Sequence, residues 1–151
     1  MGNLPLVSSL GAIACSRMAT IASDAMLIDV AKLLTQTQIG LVVVCNPDMT
    51  MAGVITKSDV IRQIDHCAGN ACQTAAAQVM TQQVTFCRAD DRLADVLLKM
   101  QTQGLVHLPV IDGDGKAVGV VNARDALRLL MTEEQYEESL LRNYVMGIGY
   151  Q

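Results

Sequence analysis

Short, wholly apolar runs alternate along the chain with stretches whose apolar residues recur every three or four positions. Leu41-Val42-Val43-Val44-Cys45 is rich in Val and too short for a buried helix, and Asn46-Pro47-Asp48 after it has strong turn chemistry. A second apolar run, Ala52 to Ile55, makes the set a predicted β-hairpin. Leu105 to Ile111, the turn Asp112-Gly113-Asp114-Gly115 and the run Ala117 to Val121 predict another. Helical spacing leads into each hairpin, in Ile28, Ala31 and Leu34 and again in Ala94, Leu97 and Met100. It follows each hairpin too, in Val60, Ile61 and Ile64 and in Ala126, Leu127 and Leu130, with helix starts at Thr56 and Asn122. Asp24 and Asp90 stand just before or within the first turn of the leading helices, where the helix dipole favours acid. Short strands near Met18 to Ile21 and Val84 to Cys87 complete two βαββα units.

The two units are copies. Gly53-Val54-Ile55-Thr56-Lys57-Ser58-Asp59 returns as Gly119-Val120-Val121-Asn122-Ala123-Arg124-Asp125, an offset of 66 residues. The same offset carries Asp29-Val30 onto Asp95-Val96, Val44 onto Val110 and Arg62 onto Arg128. The chain then divides into an N-terminal segment with the first repeat (1–66), a connection (67–77), the second repeat (78–131) and a C-terminal helix and tail (132–151). The connection is rich in Ala, Gly, Asn and Gln. Thr132-Glu133-Glu134-Gln135 reads as a capping box opening the last helix, and the apolar tail Tyr144 to Tyr150 is expected to pack on something.

Composition narrows the architecture. Hydrophobic residues make up 51% of the chain but aromatics only 3%, with no tryptophan, so the core must be aliphatic and α/β layers are favoured over a β sandwich. Only 17% of residues are charged, which implies a surface partly covered, most simply by a second copy in a homodimer. A net charge of -4 and the absence of any Lys/Arg-rich run argue against nucleic acid as a partner. Five irregularly spaced cysteines read as reduced, mostly buried thiols, and His66-Cys67 with Cys72 matches no familiar zinc spacing. Leu6 stands where myristoylation needs Ser or Thr, the first basic residue, Arg17, comes late for an export signal, and Leu41 to Cys45 cannot span a bilayer. A soluble, cytoplasmic protein with no membrane partner is expected. No Ser-His-Asp set, metal cluster or Walker loop is visible, so the chain is not read as an enzyme.

The repeated motif carries the chemistry, and its geometry allows two uses. Thr56 ends a strand where a helix cap belongs and Asp59 follows three residues on, so the pair can form a capping box, as can Asn122 with Asp125. The same junction offers free N–H groups and positive potential to a phosphate, while an aspartate in the first turn can accept both ribose hydroxyls. The two copies resemble CBS domains, the cystathionine-β-synthase type of repeat, and the chain as a whole resembles a CBS pair, or Bateman module. Val79-Met80-Thr81 and His107-Leu108-Pro109-Val110-Ile111-Asp112 extend the resemblance, which runs from about Met18 to about Leu130. It implies an α+β fold of two βαββα repeats about a pseudo-two-fold axis, with two clefts holding AMP, ADP, ATP, NAD or S-adenosylmethionine.

By that resemblance Thr56 and Asp59 contact phosphate and ribose, with Lys57 and Ser58 beside them. Asp125 matches in the second copy, whereas Asn122 replaces the usual Thr or Ser and Arg124 compensates with charge. Ala19, Thr20, Leu41 and Val42 would line the first cleft and His107, Leu108 and Pro109 the second, although a histidine inside an apolar strand is also a common structural residue. The implied function is a regulatory module that binds an adenine nucleotide and signals to an effector protein by changing shape. The alternative is a ligand-free structural or dimerisation module whose motifs are only helix caps.

Overall fold

In the computed structural model of the protein, residues 4–67 and 74–132 are described. After a 3-10 turn at Val7–Leu10 the elements run α1 (Ala12–Ser16), β1 (Met18–Ala22), α2 (Leu27–Leu34), β2 (Leu41–Cys45), β3 (Met51–Thr56) and α3 (Lys57–Cys67). The second half continues with α4 (Ala76–Val79), α5 (Leu93–Gln103), β4 (His107–Ile111), β5 (Ala117–Asn122) and α6 (Ala123–Thr132). Both predicted hairpins are present, and each has a register shift at the same point, Val44/Cys45 and Val110/Ile111. β1 pairs parallel with β2, so the first sheet has the order β1-β2-β3. The strand expected at Val84 to Cys87 shrinks to one parallel bridge, Cys87 to Val110, so the second sheet is β4-β5. That bridge keeps the register of Ile21 with Val44.

Alternation along the strands builds three aliphatic cores. Val42, Val44 and Ile55 face Leu27, Val30 and Leu34 of α2 and Val60 of α3. Leu108, Val110 and Val121 face Leu93, Val96 and Met100 of α5 and Ala126 and Leu130 of α6. The other strand face, Leu41, Val43, Cys45 and Val54, meets Val120 of the second sheet, so the repeats join sheet to sheet. β2 is therefore buried along its whole length, which is why its pattern is a continuous apolar run.

Several local expectations shift. The buried face of α2 is Leu27, Val30 and Leu34, one position away from the Ile28 register, and Ile28 is exposed. In α5 Leu93, Val96 and Met100 are the buried set, with Ala94 and Leu97 at its margin. Both helices are apolar at adjacent positions, so spacing alone leaves the register open. Ile61 and Ile64 of α3, expected inside, are exposed, and only Val60 of that set is buried. α2 and α5 begin at Leu27 and Leu93, so Asp29 and Asp95 occupy the first turns and Asp24 and Asp90 precede them.

The segment before each repeat packs on the other one. Val7, Leu10 and Ala14 belong to the core of the second repeat, although the sequence groups them with the first. Val7 N–H donates to Asp91 (2.9 Å) and Leu93 N–H to Pro5 (3.0 Å). In the mirror arrangement Ala76, Val79 and Met80 pack into the first repeat, with Leu27 N–H donating to Thr74 and Ala76 N–H to Ala25, both at 2.7 Å. The glycine that opens each motif permits this exchange. A Cβ on Gly53 would stand 2.5 Å from the Thr81 carbonyl oxygen, and one on Gly119 would stand 3.0 Å from the Ala14 Cβ. Among the described residues no helix is long and apolar enough to cross a membrane. The C-terminal helix and tail expected over 132–151 lie outside the described residues beyond Thr132, as does most of the connection.

Candidate functional site

Both motif aspartates lie at one kind of place, the C-terminal end of a strand running straight into a helix. Thr56 ends β3 opposite Leu41, and Asn122 ends β5 opposite His107. The first turn of each following helix brings Asp59 or Asp125 back to the strand end, and both are buried. Carboxylates in such positions need partners. The two find different ones.

At the first junction Asp59 Oδ2 accepts from the Thr56 backbone N–H (2.9 Å) and from its hydroxyl (3.2 Å). This is half of the expected capping box: the aspartate reaches back, but the Thr56 hydroxyl donates to it and does not accept from the helix. Oδ1 is held by Arg62 at 3.2 Å, and the Arg62 side chain is 69% exposed. Lys57 and Ser58 are exposed at the opening turn of α3. One face of this carboxylate is thus closed by a pair that solvent can dissolve.

At the second junction Asn122 Oδ1 accepts from the N–H groups of Arg124 (2.9 Å) and Asp125 (3.1 Å), a regular helix cap. Asp125 does not reach back. Its two oxygens take the guanidinium of Arg17 in a fork, Nε to Oδ2 at 2.7 Å and Nη2 to Oδ1 at 2.8 Å. The Asp125 side chain is 1% exposed and that of Arg17 23%. Arg17 immediately precedes β1, on the segment that packs across onto the second repeat, so this pair staples the repeats together. Asn122 Nδ2 lies 3.0 Å from His107 Nε2, which makes that nitrogen the acceptor and leaves the proton on Nδ1. The His107 ring covers Gly40 of the first repeat so closely that a side chain there would collide with it. Burial pushes the His107 pKa below its ordinary value, the charges of Arg17 and Lys57 push the same way, and Asp125 opposes them. Arg17, held by its hydrogen bonds to Asp125, stays charged.

The remaining residues singled out from the sequence are scattered. Leu41 abuts Thr56 but belongs to the core between the sheets. Val42 and Leu108 are sealed in the helix-facing cores, and Ala19 packs against the first of them. Pro109 is buried, its carbonyl accepting from Cys87 N–H at 3.0 Å. Thr20 lines a cleft of about 560 Å³ with Asp24, Cys45, Asn46 and Met49, at the opposite end of the first sheet from Thr56 and Asp59. That cleft offers a single carboxylate, Asp24, and no basic group. Sequence reasoning missed Arg17 and the role of Gly40. The one available signal for Arg17 was an isolated basic residue before a strand whose counterpart 66 positions on, Gln83, is uncharged.

The CBS domain family profile matches this chain twice, over residues 10–66 and 76–132. The chain belongs to the CBS domain family. A 17.7 kDa protein of Acidianus ambivalens is 25% identical over 144 residues, which cover 95% of this chain and 86% of that protein. The arabinose 5-phosphate isomerase GutQ of Salmonella typhimurium is 32% identical over 108 residues, 72% of this chain but only 32% of the isomerase. A CBS domain pair solved with 5′-methylthioadenosine and S-adenosyl-L-methionine superimposes with a TM-score of 0.72 at 23% identity, covering 87% of this chain and 100% of that one. The CBS protein CBSX2 solved with AMP gives a TM-score of 0.66 at 19% identity, covering 81% of this chain and 95% of that one. At these identities the superpositions establish the α+β CBS-pair fold and nothing finer.

Proposed function

We propose that the chain is a regulatory module that binds an adenine nucleotide at the first motif and reports its presence by a change of shape. The observation that carries this reading is the state of Asp59: buried, positioned by Thr56, and closed on its other side, among the described residues, by the exposed Arg62. A ribose diol could replace that ion pair at little cost, since exposed pairs contribute about 1 kcal/mol or less. Phosphate would sit over the opening turn of α3, beside Lys57 and Ser58, where the helix dipole favours negative charge. The ligands present in two similar folds, AMP in one and S-adenosyl-L-methionine with 5′-methylthioadenosine in the other, support an adenosine compound. AMP, ADP, ATP and NAD fit the basic surroundings better than a cationic sulfonium does.

On this reading the module acts without chemistry of its own, as a cytoplasmic homodimer that passes occupancy to an effector protein or an attached domain. Signalling then requires that the nucleotide bind one arrangement of the repeats more tightly than another. A second reading, that the junctions are only fastenings, draws support from the second end, where Asp125 is already committed to Arg17.

Thermal unfolding with AMP, ADP, ATP, NAD, S-adenosylmethionine and adenosine separates the two. A ligand at a hundredfold excess over its Kd stabilises the folded chain by about 2.7 kcal/mol, a clear rise in Tm. We expect such a rise for at least one phosphorylated compound, and a smaller one in Asp59→Ala. No response to any of them would leave only the fastening reading.

A further inference from the structure

We propose that Arg17 makes the second cleft selective for anionic adenosine compounds, admitting them only when they bring a group that takes the guanidinium from Asp125. This rests on the nucleotide reading above and goes beyond it to the charge of the ligand. Ribose hydroxyls would donate to the same two carboxylate oxygens that the Arg17 fork occupies at 2.7 and 2.8 Å. With its side chain 1% exposed, Asp125 has no open face on which to hold both at once.

A ligand that displaces Arg17 therefore leaves a cation without its anion, near a His107 that is already engaged by Asn122 and itself disfavours positive charge. An uncharged adenosine offers that cation nothing, and a sulfonium adds a further positive charge. A phosphate accepts the same planar fork that the carboxylate did. The first cleft makes no such demand: Arg62 can leave Asp59 for solvent, and the position matching Arg17 is Gln83.

The test uses the full chain with Asp59→Ala, which silences the first cleft, titrated calorimetrically with AMP, adenosine and S-adenosylmethionine. AMP should bind at least about tenfold more tightly than adenosine, a difference of about 1.4 kcal/mol. Adding Arg17→Gln, which keeps a donor for Asp125 but removes the charge, should bring the two affinities within about a factor of two. Arg17→Lys, which keeps the charge without the fork, should retain a preference for AMP and serves if the Gln variant folds poorly. Equal affinities for AMP and adenosine before Arg17 is changed, or an unchanged ratio afterwards, would overturn the proposal. So would AMP binding to the unaltered chain that vanishes entirely with Asp59→Ala, though the nucleotide reading would then stand. Failure of the unaltered chain to bind any nucleotide would remove both.

Discussion

Asp59 and Asp125 close matching strand–helix junctions, yet Asp59 is tied within its own helix turn and Asp125 to a residue 108 positions away. The first arrangement is local and partly solvated; the second is buried and joins the two repeats. A duplicated motif can thus keep its backbone while its copies diverge in task, because the partner of the buried acid is free to change. The exchange of a short segment between repeats made this possible here, since it carries Arg17 across to the second junction.

The largest effect that separates the two ends should come from their cations. Arg17→Ala strands Asp125 as an unpaired buried charge and should destabilise the fold by about 3 kcal/mol, whereas Arg62→Ala should cost about 0.5 kcal/mol or less. Urea unfolding of both variants measures the difference, and equal losses would mean that the ends are alike after all. Next come the motif glycines. Gly53→Ala presses a methyl to 2.5 Å from the Thr81 carbonyl oxygen and should cost about 2–3 kcal/mol, against about 1 kcal/mol for Gly119→Ala, whose methyl comes no nearer than 3.0 Å to Ala14. Their relative Tm values check whether the exchanged segments are held equally tightly.

Smaller still is a difference between the hairpins. Gly115 has a φ of 82°, and its counterpart Met49 adopts 73°, the left-handed region that disfavours a side chain. Gly115→Ala should lower stability by about 1 kcal/mol, while Met49→Gly should raise it by a few tenths, about the residue of relieved strain after added chain entropy. Thermal melts with the same sign for both would contradict this. The mildest effect is a pH dependence belonging to the second end alone. His107 titrates below its ordinary 6.5 in the folded chain, so its neutral form supports stability above that pH. As pH falls from 6.5 towards the lowered value, the unfolded chain takes up a proton that folded His107 refuses, and stability declines. His107→Gln should flatten that decline in urea midpoints compared at about pH 7.5 and about pH 5.5.

Much of this was legible in the sequence, for identifiable reasons. The hairpins, β1 and the two strand–helix junctions follow from apolar runs, turn residues and the 66-residue repeat. Helix faces were less legible, because Leu27-Ile28 and Val30-Ala31 put apolar residues on adjacent positions and only tertiary contact decides that Ile28 turns outward. The reduced strand around Cys87 and the crossing of Val7, Leu10 and Ala14 depend on contacts remote in sequence, which spacing does not encode. Asp59 could be placed from its neighbours alone. Asp125 could not, since nothing near it announces Arg17.

On the proposed reading the first junction is a nucleotide site whose acid is Asp59, while Arg17 closes the second to all but anionic ligands. Calorimetric titration of AMP into the unaltered chain and into Asp59→Ala tests it most directly. The account predicts saturable binding to the unaltered chain and, with Asp59→Ala, loss of the tighter phase from a protein that still unfolds cooperatively. An affinity for AMP that is unchanged by Asp59→Ala would contradict it.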